Sequence, residues 1–356
     1  MTYAAITGWG KCLPPAVVTN DDLATFLDTS DEWITSRTGM KERRISHVGV
    51  SELGYVAAAR AVAAAGIDPS DIDMVALATC TPDSGMPNCA SYIQDKLGAK
   101  NAGSYDLNTA CTGFMYALST ASSMIKAGVI RTAVVVGADA MSQLIPWMDR
   151  SISVLFGDGA AAWVLQATDE PEGVLAEKLG CISEARGILE IKYGFDQPGQ
   201  PTNDLCEWNF QGQDIFKRAV NAMAEASLHT IEKAGVSVSD ISLCIPHQAN
   251  KRIIDAVAKK AGVPSENCYV NVHRYGNVSA ATVPVATTEA LEEHRIRPGD
   301  YLLMPAFGAG LTWSAHLVKW GQRVKPIGTT DVELPACEKT GLELIHMIMA
   351  DRAANS

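Results

Sequence analysis

The sequence predicts an α/β fold made of two similar halves, and three observations carry that expectation. First, the chain repeats itself. AAAGIDPSDIDMVALATCTPD (63–83) resembles EKAGVSVSDISLCIPHQAN (232–250), with Gly66 opposite Gly235 and Asp71 opposite Asp240. Second, in each half short apolar runs alternate with longer helical patterns, the signature of strands joined by crossovers. Third, CTGFMYALSTASSMIKAG (111–128) carries small residues on all its sides, as suits a helix buried between two sheets.

The elements follow in order. MTYAAITGWG opens as a strand; it lacks the basic start and long apolar stretch of a signal peptide. ELGYVAAARAVAAAG (52–66) is a helix, DMVALAT (73–79) a buried strand, and the small-residue run at 111–128 a second helix leading to the strand TAVVVGA (132–138). Residues 166–211 hold Pro, Gly and Asp clusters (ATDEPEG, FDQPGQPTND) and are read as the connection between halves plus surface loops. The second half repeats the plan with QDIFKRAVNAMAEASLHTIEKAG, SLCIP, KRIIDAVAKKAG and YLLMPA. An offset of roughly 170 residues sets Asn108 opposite Asn277, and FGDGAAAWVLQ (156–166) resembles FGAGLTWSAHLV (307–318) at a slightly shorter one. So long a period means two related halves rather than a solenoid. The division is 1–170, 171–321 and a C-terminal extension, 322–356, with a short helix around KTGLELIHMIMAD.

A chain of 356 residues has room for such a two-lobed body. A formal net charge of −11 argues against binding nucleic acid or an anionic membrane through overall charge. Nine cysteines form no CxxC pair and no metal-ligand spacing with histidine, which points to a reducing, cytoplasmic setting and no metal site. No apolar run approaches the roughly 18–20 residues that span a bilayer. FGDGAA lacks a following GK[ST] and reads as a tight turn into a strand rather than a phosphate loop.

Six motifs recur in one order: DEWITSRTGMKER (31–43), NTACTGF (108–114), DRSISVLFGDGAA (149–161), IPHQANKRII (245–254), YGNVSAATVP (275–284) and FGAGLTW (307–313). Together they resemble the β-ketoacyl-acyl-carrier-protein synthase III family, the initiating condensing enzymes of the thiolase-like superfamily, over about residues 3–321. The resemblance implies a five-layer α-β-α-β-α fold, a homodimer, CoA thioester substrates without a cofactor, and a site between the halves with Cys111 as nucleophile and His247 and Asn277 as partners. It also implies an oxyanion hole from the backbone N–H groups of Cys111 and Ala309.

The residue types suit that chemistry. A thiol attacks as thiolate, and a free Cys, with a pKa of about 8.5, is mostly protonated at neutral pH. A helix N-terminus would favour the anion at Cys111. Loss of CO2 from a malonyl thioester leaves an enolate, which a neutral His and an Asn amide can stabilise as donors. The carbanion then attacks the acyl group on Cys111, with ping-pong kinetics. Phe307 would wall the site with an apolar face. The methyl of Ala309, in a loop that is glycine-rich in the family, needs room and a permitted φ. The other cysteines (12, 80, 89, 181, 206, 244, 268, 337) and the histidines at 47, 229, 273, 294, 316 and 346 read as structural.

The remaining site residues also come from the resemblance. Trp33, Arg37 and Arg150 match positions that clamp the CoA adenine. Met86 matches the residue that closes the acyl pocket across the dimer, and its flexibility points to a primer longer than acetyl. Lys217, Arg252 and Lys259, with Arg218, Lys251 and Lys260 beside them, form a basic dock for the acidic carrier protein that delivers malonyl. The rival assignments are an acyl-CoA condensing enzyme of a specialised pathway (head-to-head or hydroxymethylglutaryl-CoA synthase-like) and a condensing subunit that needs a partner. The first needs a carboxylate base, and the stretch ATCTPDSGMP offers only Asp83.

Overall fold

The protein was described from a computed structural model covering residues 1–192 and 207–355. Cys206 and the run FDQPGQPTND lie outside the described residues.

The duplication is visible in the strand order. In the first half the order is Gly103–Leu107, Met74–Ala78, Thr132–Ala140, Asp158–Thr168, Tyr3–Cys12, with the first three parallel and the last two antiparallel to their neighbours. The second half runs Ile241–Cys244, Tyr301–Gly308, Thr312–Lys319, Gly173–Cys181 with the same sequence of directions. A parallel bridge from Cys244 to Cys268 marks the missing outer strand. The two sheets are not separate: one parallel pair, Ala4 with Gly173, joins them into a nine-stranded sheet.

Side-chain alternation builds the layers. Val75 and Leu77 face outward onto the helix Val50–Ala65 and Ile93 of the helix Cys89–Leu97. Ala76 and Ala78 face inward onto the first central helix, Gly113–Lys126. The second central helix, Thr282–Glu292, is buried from Thr282 to Leu291. It tolerates this because Thr287 and Thr288 donate to the carbonyls of Val283 and Pro284 (2.9 and 2.8 Å). Helices Gly212–Ala234 and Lys251–Ala261 form the fifth layer, over Leu303 and Leu317. Gly66 and Gly235 end their helices in the same left-handed conformation, φ 65° and 71°.

Three features depart from the expectation. Residues 166–211 are not only connection and loops. They supply the strand Gly173–Cys181, whose Val174 and Ala176 are buried, and an antiparallel pair, Leu189–Lys192 with Glu207–Phe210. A second antiparallel pair, Ala16–Thr19 with Glu42–Ile45, joined through two helices, belongs to neither repeat and seeds its own core with Ile34, Trp147 and Phe156. The C-terminal helix is longer than expected, Gly341–Asn355, and buries Leu344, Ile345 and Ile348 against this second core. The strand of chain before it is tied to the first half by Arg323 to the carbonyls of Thr7 and Ala65 (2.6 and 2.9 Å) and by Ile327 N to Ala64 O (2.9 Å).

Candidate active site

Two elbows of identical build face each other at the ends of the central helices. In the first, Asn108 Oδ1 accepts from Ala110 N (3.1 Å), Ala110 takes φ 48°, and the turn Ala110–Thr112 opens the helix at Gly113. In the second, Asn277 Oδ1 accepts from Ser279 N (2.9 Å), Ser279 takes φ 49°, and Ser279–Ala281 opens the helix at Thr282. A left-handed non-glycine residue costs about 1 kcal/mol or more, so both elbows are held by their surroundings. Cys111 stands in the first where Ala280 stands in the second.

Cys111, His247, Asn277, Phe307 and Ala309 line one cavity of about 310 Å3, whose mouth is at Trp33 and Arg37. His247 is 3% exposed, pinned by its N–H to Pro305 O (2.9 Å) and by Nδ1 against Thr282 Oγ1 (2.6 Å). That leaves Nε2 for the cavity. Burial pushes His247 down to about 3, so the ring is neutral. A hydroxyl both donates and accepts, so the Thr282 contact supports either tautomer. The adjacent Gln248 locks the loop, bonding Pro246 O, Tyr269 O and Asn271 N. Asn277 is held by its N–H to Leu155 O (2.9 Å) and by its carbonyl, which accepts from Gly157 N (3.1 Å). With Oδ1 taken by Ser279, its amide Nδ2 is the group left to donate.

The state of the thiol corrects the expectation of a resting anion. Burial pushes Cys111 up to about 11, helped by the charge of Asp139; Ser279, Asn277 and the residue's own N–H pull the other way. Desolvation by an apolar cavity outweighs the helix terminus, and the free protein holds a thiol.

The oxyanion position is shaped by a missing side chain. In the first turn of their 3-10 segments, the N–H groups of Cys111 and Ala309 have no intrahelical acceptor. Gly308 keeps the space beside Cys111 open: a Cβ there would lie 2.9 Å from Cys111 N, 3.0 Å from Thr112 N and 3.2 Å from Thr109 O. The loop's unusual backbone falls on Gly310 (φ 134°), not on Ala309, so the methyl is accommodated.

At the mouth, the guanidinium carbons of Arg37 and Arg150 lie 4.5 and 4.7 Å from the Trp33 ring centroid. Trp33, Arg37 and Arg150 are therefore together, with both guanidinium groups against the indole ring. Lys217, Arg218, Arg252 and Lys259 are exposed and have no acidic partner among the described residues. Lys251 is paired with Asp255 (2.6 Å), and Lys260 bonds Asn221 (2.7 Å). The helices carrying these cations also supply Ile215, Phe216 and Ile253 to the cavity, and Ala249 and Asn250, just before the second helix, line it too. Met86 does not line the cavity of its own chain and is 86% exposed. Asp83 caps the helix Val50–Ala65 through Val50 N and Ser51 N (2.6 and 3.0 Å), so the rival assignment loses its base.

Several residues escaped the sequence reading. Ser279 and Thr282 lie inside a quoted motif, and Gly308 precedes Ala309. Cys80, read as packing, lines the cavity with its thiol 3.7 Å from Ser279 Oγ. The strand pair Leu189–Lys192 and Glu207–Phe210 adds Leu189, Ile191, Trp208 and Phe210; Trp208 packs on Phe156 at 5.5 Å and donates to Leu144 O (2.7 Å).

Residues 105–182 match the family model for 3-oxoacyl-[acyl-carrier-protein (ACP)] synthase III, and residues 231–320 match the model for its C-terminal part. The chain is 52% identical over 345 residues to beta-ketoacyl-[acyl-carrier-protein] synthase III 2 of Vibrio vulnificus (strain YJ016), covering 96% of this chain and 95% of that one. It is 47% identical over 326 residues to beta-ketoacyl-[acyl-carrier-protein] synthase III of Roseiflexus sp. (strain RS-1), covering 89% of this chain and 98% of that one. Among solved structures, 3-oxoacyl-[acyl-carrier-protein] synthase III from Aquifex aeolicus VF5 superposes with a TM-score of 0.83 at 41% identity, over 89% of this chain and all of that one. The priming β-ketosynthase of the R1128 polyketide pathway gives 0.86 at 34%, over 90% and 97%.

Proposed function

The chain belongs to the 3-oxoacyl-[acyl-carrier-protein] synthase III family, and from that premise we propose how its residues condense an acyl-CoA primer with malonyl-acyl carrier protein. Cys111 Sγ attacks the thioester carbonyl while its proton passes to the neutral His247 Nε2, whose Nδ1–H then donates to Thr282. Cys111 N–H and Ala309 N–H hold the tetrahedral oxyanion. Collapse expels the CoA thiolate, which takes the proton from His247, and leaves an acyl-Cys.

In the second half-reaction the bond to the malonyl carboxylate breaks and CO2 leaves. After CoA leaves, the ring gives up its Nδ1 proton and gains one at Nε2 by exchange with solvent, and Thr282 then donates to Nδ1; the enolate oxygen accepts from Asn277 Nδ2 and from His247 Nε2–H. The carbanion attacks the acyl-Cys carbonyl, the same two N–H groups hold the oxyanion, and Cys111 departs as thiolate and takes a proton from solvent. The products are 3-oxoacyl-carrier protein, CO2 and CoA, and no step calls on a cofactor. Phe307, buried against the cavity, disfavours the carboxylate that must leave.

Trp33, Arg37 and Arg150 receive the CoA adenine. Lys217, Arg252 and Lys259, exposed and without an acidic partner among the described residues, on helices that also line the cavity, receive the acidic carrier protein. The working unit is a homodimer in the cytoplasm, with Met86 reaching the partner's acyl pocket and its flexible side chain admitting primers longer than acetyl; among the described residues no helix is long and apolar enough to cross a membrane.

The observation that carries the mechanism is the shared cavity of a thiol, a neutral imidazole and an oriented amide. Asn277→Ala tests it. Acyl transfer to Cys111 should survive, while CO2 release from malonyl-carrier protein should fall about 100-fold, the value of one lost donor. Equal loss of both half-reactions would refute the assigned division of labour.

A further inference from the structure

Asp139 lies at the end of the strand Thr132–Ala140, fully buried. Its Oδ1 accepts from Thr79 Oγ1, Cys80 N and Thr81 Oγ1 (3.0, 2.8 and 3.0 Å). Its Oδ2 accepts from Ala280 N at 3.1 Å, in the other half of the molecule. The condensation scheme above gives it no part.

The duplication shows what that last contact is. Ala133 pairs with Met74 as Leu302 pairs with Leu243, the offset that also sets Asn108 opposite Asn277. The same offset sets Cys111 opposite Ala280 and Asp139 opposite Gly308. Each elbow therefore presents one backbone N–H, at Cys111 or Ala280, to the strand end across from it. In the first, that strand end is Gly308 and the N–H stays open for substrate. In the second, it is Asp139, and the N–H is filled by a carboxylate oxygen. The filled elbow is the one that carries Asn277 and Ser279, which line the same cavity as Cys111, with Asn277 Oδ1 accepting from Ser279 N (2.9 Å).

We propose that Asp139 is a positioning residue for the decarboxylating half-reaction: by occupying the N–H of Ala280 it holds the second elbow so that Asn277 Nδ2 points at the enolate oxygen. The proposal rests on the assignment of Asn277 as a donor to that oxygen. Asp139→Asn is close to isosteric and breaks the contact; it also removes the charge that helps push the Cys111 thiol up, a change that favours acyl transfer rather than impairing it. With its oxygen facing the three donors at Thr79, Cys80 and Thr81, its NH2 meets Ala280 N–H, donor against donor. The elbow then shifts, while Gly308 and the first elbow are untouched.

The experiment measures both half-reactions in wild type, Asp139→Asn, Asn277→Ala and the double variant: acyl transfer from acyl-CoA by intact mass, and CO2 release from malonyl-carrier protein by the acylated enzyme. Asp139→Asn should keep acyl transfer within about threefold and lose about 100-fold in CO2 release, the cost of misplacing a catalytic group by about 1 Å. On the Asn277→Ala background the same substitution should change CO2 release by less than about threefold, since it acts through Asn277. Equal loss in both half-reactions, losses that multiply in the double variant, or an Asp139→Asn chain that takes up no acyl group would each assign Asp139 to the scaffold and overturn the proposal. A wild type lacking CO2 release would instead refute the condensing assignment, and a competent wild type with an unchanged Asp139→Asn refutes the role of Asp139 alone.

Discussion

Gly308→Ala perturbs the oxyanion position by one methyl group. Gly308 has φ −153° and ψ 179°, extended backbone that alanine adopts freely, so the substitution adds contact and not backbone strain. The new Cβ meets Cys111 N at 2.9 Å, Thr112 N at 3.0 Å and Thr109 O at 3.2 Å. Ordinary contacts begin near 3.4 Å, so something must move by about 0.5 Å, and all three neighbours are backbone atoms of the elbow. Either the elbow retreats or the methyl covers the Cys111 N–H, and in both cases the oxyanion loses a donor. One such donor is worth about 2.7–4 kcal/mol, or 10²–10³ in rate. Overpacking adds about 1–3 kcal/mol of destabilisation. The assay is single-turnover acyl transfer from acyl-CoA, followed by intact mass, beside CO2 release from malonyl-carrier protein in the absence of primer. The first should fall by the full factor and the second by far less, because the enolate is held by His247 and Asn277. Acyl transfer within about threefold of wild type would refute the placement of the oxyanion at Cys111 N–H.

Thr282→Val removes the hydroxyl partner of His247 Nδ1, and kcat should fall about 10–100-fold, the usual cost of losing a partner that orients a histidine; an unchanged kcat would contradict its orienting role. Arg252→Glu with Lys259→Glu should raise KM for malonyl-carrier protein about tenfold, leave acyl transfer from acyl-CoA unchanged, and flatten the salt dependence of the reaction. The stability of the fold should decline as pH drops below 6.5. His247 and His316 are both pushed by burial to about 3. The unfolded chain therefore binds protons below 6.5 that the folded one refuses. Each histidine should cost about 2 kcal/mol between pH 6.5 and 5, visible in urea titrations, and His316→Gln should remove about half of that slope.

Much of the architecture was legible because a duplicated sequence announces itself twice. Ser-Asp-Ile before a buried strand, with Gly66 and Gly235 at matching helix ends, located the parallel strands of both sheets. The small residues of 111–128 marked a helix that lies between them. The strand Gly173–Cys181 was lost because Pro, Gly and Asp on either side outweigh its short apolar alternation, Val174 and Ala176; its pairing with Thr312–Lys319 supplies the order that its composition does not. The motifs pointed to Cys111, His247 and Asn277. The groups that hold them were hidden because they act at a distance along the chain: Thr282 on His247, Gly308 beside Cys111, Asp139 on Ala280. The charge state of Cys111 was misjudged for a related reason. A helix N-terminus is local and readable, whereas burial inside a cavity lined from several distant parts of the chain exists only in the folded protein.

The central claim is that one sulfur, Cys111 Sγ, carries the acyl group. Incubation of the purified chain with an acyl-CoA panel, then intact and peptide-level mass spectrometry, tests it directly against a Cys111→Ala control. The account expects one acyl group per chain, on the peptide holding Cys111, and none in the control. Label of equal extent after Cys111→Ala, or label found instead on the Cys80 peptide, would contradict it.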